Sequence, residues 1–127
     1  MTKSSYQAVL LIAHGSRQDI ANREVCEMAQ RLSEPLPDWS VQPCFLEIAS
    51  PSIPEGFRKV VDSGCTKIVA VPFFLTTGAH VGEDIPRILE DCRKDSPGVQ
   101  VTLAPAIGPD PDLDEIALKR VAETISP

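Results

Sequence analysis

Two uninterrupted apolar stretches constrain this chain more than any other feature. One is Ala8-Val9-Leu10-Leu11-Ile12-Ala13. The other runs through Lys67-Ile68-Val69-Ala70-Val71-Pro72-Phe73-Phe74-Leu75. Neither alternates apolar with polar, so both faces of each must be covered by other parts of the protein. Both are far too short to cross a membrane as helices. They read as central strands, with Pro72 marking the place where the second ends or bends.

Two weaker stretches read as edge strands. Val41–Leu46 contains Pro43, which an edge position tolerates because a missing N–H costs least there. Val99–Leu103 alternates strictly, as a strand with one solvated face does. Helical stripes lie between and after these strands. Ile20, Val25, Met28, Ala29 and Leu32 form the first, ended by Pro35 and Pro37. Ile53, Phe57, Val60 and Val61 form the second, with Ser50-Pro51 as its expected cap and Gly64 as its stop. Ile85, Ile88, Leu89 and Cys92 form the third, with Asp84 as expected cap. Leu113, Ile116, Ala117 and Val121 form the last.

Strand and helix therefore alternate four times. Crossover helices between such strands give a parallel sheet covered on both faces. With the apolar strands central and the others at the edges, the strand order is 2-1-3-4. The expected fold class is α/β: one three-layer αβα domain over residues 1–127, a four-stranded flavodoxin-like half sheet. In this order the chain switches direction between strands 1 and 3, and ligands bind beyond the carboxyl ends of the strands at such a point.

Composition removes several function classes. A hydrophobic share of 43% with 24% charged residues is that of a folded globular chain, not a disordered one. The net charge of −6 argues against a nucleic-acid groove. No apolar run reaches membrane length, and the polar start from Met1 to Gln7 lacks a signal peptide's apolar core. Cys26, Cys44, Cys65 and Cys92 form no Cys-x-x-Cys pair and read as reduced thiols. A cytoplasmic protein is expected.

The chemistry-bearing residues fall on one rim. His14 and His80 are the two histidines of the chain. His14 directly follows strand 1, His80 lies a few residues past strand 3, and Glu47 follows strand 2. Two imidazoles and a carboxylate at one place suit a divalent transition metal, and neutral histidines also accept protons. Each residue has a plainer reading beside this one: a hydrogen-bonded loop histidine, or a solvated loop carboxylate. His14-Gly15-Ser16-Arg17 occupies a strand-to-helix turn, where Ser16 reads equally as a cap or turn residue and the helix start favours anions. Gly78 and Gly82 bracket His80, consistent with a closing loop or with a turn that needs glycine.

These same segments resemble a known family. Leu11–Arg17 is similar to the first-strand motif of the class II tetrapyrrole chelatases, and Phe45–Ile53 to their second. Pro72–Pro86 resembles the third and most specific motif, and Ala104–Asp110 the segment after strand 4. The nearest resemblance is to the short-form sirohydrochlorin cobaltochelatases of CbiX type. It implies a lyase that inserts Co2+, or Fe2+ or Ni2+, into sirohydrochlorin, in cobalamin or siroheme synthesis. It further implies His14 and His80 as catalytic residues, His14, Glu47 and His80 as metal ligands, and Ser16, Arg17, Thr77 and Gly78 near the substrate. The metal is a substrate, with no permanently bound cofactor. The tetrapyrrole is the small-molecule partner, a homodimer builds the cleft, and neither nucleic acid nor membrane is involved. A non-catalytic metal carrier using the same His/Glu site is the alternative. A phosphotransfer enzyme with His14 as nucleophile, which would need more arginines around it, and a plain flavodoxin-like binding domain are weaker rivals.

Overall fold

The computed structural model describes residues 7–125. The polar start at residues 1–6 lies outside the described residues. Strand β1 (Gln7–Ala13) leads to helix α1 (Asp19–Ser33), β2 (Trp39–Phe45), α2 (Ile53–Asp62) and β3 (Lys67–Pro72). A single π-helical turn (His80–Asp84) then runs into α3 (Ile85–Asp95), followed by β4 (Gln100–Leu103) and α4 (Pro111–Ile125).

The four strands form one parallel sheet in the order β2-β1-β3-β4, as the hydrophobic pattern requires. β1 is flanked on both sides, pairing Leu11 with Pro43 of β2 and Ile12 with Pro72 of β3. Pro43 thus sits on an edge strand, and Pro72 is the last residue of β3.

Alternation along β1 divides the core in two. Ala8, Leu10 and Ile12 face α2 and α3, packing with Ile53, Phe57, Ile68, Ile85 and Leu89. Leu11 and Ala13 face α1, packing with Val25, Ala29 and Phe45. Leu10, Leu11 and Ile12 are wholly buried, each adding roughly 1.5–3 kcal/mol by removing its side chain from water. The layers are therefore α1, the sheet, and the pair α2 and α3.

Local details depart from expectation in four places. Ile20 is 62% exposed, so the α1 stripe begins at Val25. The cap of α2 is Ser52, not Ser50. Its hydroxyl accepts from the Glu55 amide while the Glu55 carboxylate accepts from the Ser52 amide, a reciprocal box, with Pro54 in the first turn. Asp84 occupies the cap position of α3 but makes no capping bond, because the π turn keeps its backbone helical. Finally, α4 buries none of its side chains, and Ile116, Leu118 and Val121 lie exposed. No helix among the described residues is long and apolar enough to cross a membrane.

Candidate functional site

The ladder between β1 and β2 continues past the strand ends. The Leu46 amide donates to the Ala13 carbonyl (2.9 Å) and the Glu47 amide to the His14 carbonyl (3.0 Å). This zips the two following loops together and places His14 beside Glu47. Gly15 makes the approach possible. Its φ is +98°, and a Cβ there would lie 1.8 Å from the Glu47 carbonyl oxygen. On the other loop, Ile48 adopts φ +73° while the Ala49 amide donates to the Glu47 carbonyl at 2.8 Å. That is a strained γ-turn centred on a β-branched residue, directly after the site carboxylate.

The Phe73 amide donates to the Ile12 carbonyl, tying the end of β3 to β1. The chain beyond it brings His80 back over the same rim. The His14 and His80 ring centres are 5.2 Å apart, with planes inclined by 59°. His80 belongs to the π turn, not to a free loop as its flanking glycines suggested. The Ile85 amide closes that turn on the His80 carbonyl, and the Gly82 amide donates to the Gly78 carbonyl.

Both rings have hydrogen-bond partners. His14 Nδ1 lies 3.0 Å from the Gly15 carbonyl oxygen, and His80 Nδ1 lies 2.8 Å from Asp84 Oδ2. Both oxygens are acceptors. At His80 this places the proton of the neutral ring on Nδ1 and leaves the lone pair on Nε2, whereas His14 has an acceptor beside each nitrogen. His14 Nε2 stands 3.3 Å from Glu47 Oε2. A ring proton on Nε2 or a metal ion beside the pair would bridge them. All three side chains are roughly half exposed, so an ion can reach them. Among the described residues no group of three or more His, Cys, Asp or Glu side chains is placed to hold a metal ion together. The rim holds pairs that share His14.

A cavity of about 650 Å³ opens beside His14, over the α1 face of the sheet. Phe45, Phe73 and Met28 give it an apolar floor, and Ser16, Asn22, Glu24, Glu27 and Arg31 line its polar side. Ser16 is held as a turn residue: its amide donates to Asn22 Oδ1, Asn22 Nδ2 donates to its carbonyl, and its hydroxyl accepts from the Gln18 amide. Arg17, Thr77 and Gly78 are exposed nearby in sequence. Arg31 was not among the expected residues. The signal for it was its spacing, since it follows Glu24, Val25 and Met28 along one face of α1.

The family model for CbiX matches residues 8–124. The chain belongs to the CbiX family. Among CbiX relatives, a sirohydrochlorin ferrochelatase of Priestia megaterium is 34% identical over 117 residues, 92% of this chain and 44% of that protein. A sirohydrochlorin cobaltochelatase of Methanopyrus kandleri is 30% identical, covering 93% of this chain and 96% of that one. SirB from Bacillus subtilis, solved with Fe3+, superposes with a TM-score of 0.86 at 30% identity, over 95% of this chain and 48% of SirB. The chain therefore spans about half the length of the Priestia and Bacillus proteins and nearly all of the Methanopyrus one.

Proposed function

We propose that this CbiX family member is a tetrapyrrole metal chelatase, a lyase that inserts a divalent metal into sirohydrochlorin. Cobalt(II) is the first candidate, with iron(II) and nickel(II) behind it, since the same N/O ligand set accepts all three. The observation that carries the reading is the pairing of two imidazoles 5.2 Å apart with a carboxylate 3.3 Å from a ring nitrogen of one of them.

Chelation exchanges two pyrrole protons for one M2+ ion. His14 and His80 hold the incoming ion through Nε2, and as the ion passes to the macrocycle the two freed Nε2 atoms take up the two departing pyrrole protons, with Glu47 balancing charge as a further ligand or acceptor. Holding ion and macrocycle against each other supplies the main advantage over free solution. The cavity beside His14 takes one face of the macrocycle on its apolar floor. Arg31 and the Ser16 turn in the cavity, with Arg17 next to Ser16 in sequence, meet the carboxylates of the macrocycle, while Thr77 and Gly78, shortly before His80 in sequence, contact it as well. An acidic protein repels a polycarboxylate at long range, so these local cations matter. The metal is consumed as substrate, and no resident cofactor is invoked. The protein works in the cytoplasm, without membrane or nucleic acid. Two copies pair to build the cleft, a reading supported by the match to about half the length of the longer relatives.

The test is anaerobic mixing of the purified protein with sirohydrochlorin and cobalt(II), followed by visible absorption against an enzyme-free control. Faster metallation, abolished or cut at least 100-fold in His14→Ala, supports the reading. Binding of cobalt with no metallation under any of the three metals makes the rim a carrier site instead.

A further inference from the structure

A carboxylate at the start of a helix ordinarily accepts from the amides of the first turn. Asp84 stands at that position of α3 and makes no such bond. Both of its oxygens are engaged elsewhere. Oδ2 accepts from His80 Nδ1 at 2.8 Å, and Oδ1 accepts from Arg87 Nη2 at 3.2 Å. With its backbone helical between the π turn and α3, Asp84 has no capping role, and its carboxylate serves a site histidine.

We infer that Asp84, steadied by Arg87, is the positioning residue of His80. An ionised carboxylate can only accept, so it fixes His80 as the Nδ1–H tautomer and leaves Nε2 as the ring atom offered to an ion. The i,i+4 bond also locks the ring plane across the π turn, at the 59° inclination to His14. Arg87 removes the freedom of the carboxylate to rotate away. Such outer partners orient a ligating histidine and raise its basicity. The two histidines are held differently: a backbone carbonyl and Glu47 flank the nitrogens of His14, and an ion pair fixes His80.

This inference rests on His80 being a metal ligand, as proposed above, yet its first readout is independent of turnover. Long-range 1H–15N NMR of the metal-free protein at about pH 8, where histidine is ordinarily neutral, reports the tautomer of each ring. His80 is expected as Nδ1–H in the unaltered protein and as Nε2–H, or a mixture, in Asp84→Ala and Asp84→Asn, with His14 unchanged in both. Cobalt(II) affinity, measured by anaerobic titration with the metal alone, is expected to fall roughly 10- to 100-fold in both variants, and less in Arg87→Ala. Asp84→Asn keeps the shape of the side chain, so a loss there does not reflect a misfolded helix. An Nε2–H ring in the unaltered protein overturns the inference, as does unchanged cobalt affinity in both Asp84 variants. A protein that shows the tautomer switch and the cobalt loss but never metallates sirohydrochlorin sinks the chelatase reading and leaves the role of Asp84 standing.

Discussion

Gly15 lets the loops that carry His14 and Glu47 close on each other, because its missing Cβ is where the Glu47 carbonyl sits. Gly15→Ala adds a left-handed backbone penalty and a collision with backbone that has nowhere to go. The expected loss is about 2 kcal/mol or more in unfolding free energy, read from the urea midpoint, with weakened cobalt binding as the rim opens. An unchanged midpoint would show that the Glu47 loop yields freely. Cys44 tests the interior in another way. Burial first, and then the neighbouring Cys92, push its thiol up from 9.0 to about 12. A raised folded value means stability is whole below the unfolded value and is lost as pH climbs from 9 toward 12. The loss is on the order of 4 kcal/mol at the top of that range, from three units at 1.36 kcal/mol each. Near neutral pH the half-buried Cys26 should be alkylated and Cys44 spared, which intact-protein mass spectrometry with peptide mapping would show.

At the scale of the element, α2 and α3 start in opposite ways. α2 begins with a complete capping box, so Ser52→Ala should cost about 1 kcal/mol in thermal or urea unfolding. α3 has no such cap, and its leading carboxylate turns toward the site. The hydrogen bond from His80, and next the guanidinium of Arg87, hold the Asp84 carboxyl below its ordinary 3.8. The hydrogen bond from Arg93 likewise holds Glu90 below 4.5. Depressed carboxylates add stability that is present above their unfolded values and lost as pH falls through the folded ones. Stability should therefore drop below about pH 4, and Asp84→Asn combined with Glu90→Gln should flatten that decline. An equally steep decline in the double variant would assign it to other groups. Packing sets a further limit on α2. A Cβ on Gly56 would lie 2.9 Å from Cys44 Cβ, so Gly56→Ala should destabilise by about 1–3 kcal/mol through overpacking, although alanine is the better helix former.

In the molecule as a whole, the sheet is covered by α1 on one side and by α2 and α3 on the other, while α4 leaves Ile116, Leu118, Val121 and Ile125 in water. Ile116→Ser with Val121→Ser should hardly change the stability of the single chain, by under about 0.5 kcal/mol, since neither side chain is buried. If two copies pair through α4, the same variant should sediment as a monomer where the unaltered protein sediments as a dimer. Much of this architecture was legible beforehand. The short continuous apolar runs read as doubly covered strands, and placing them centrally, with Pro43 on an edge, gave the order 2-1-3-4 that the sheet has. His14, Glu47 and His80 were legible because parallel strands send their carboxyl ends to one rim. What periodicity along the chain could specify was the strands, the buried stripes and the rim on which the site lies. The choice of Ser52 over Ser50 as cap, the strained turn at Ile48, the closeness of Gly15 to Glu47, the place of Arg31 in the cavity and the turning of Asp84 from cap to His80 were decided only in three dimensions. Each depends on which of several chemically equivalent partners the folded backbone brings within about 3 Å, and a side chain's local propensity cannot choose among partners that only the packed sheet and helices assemble.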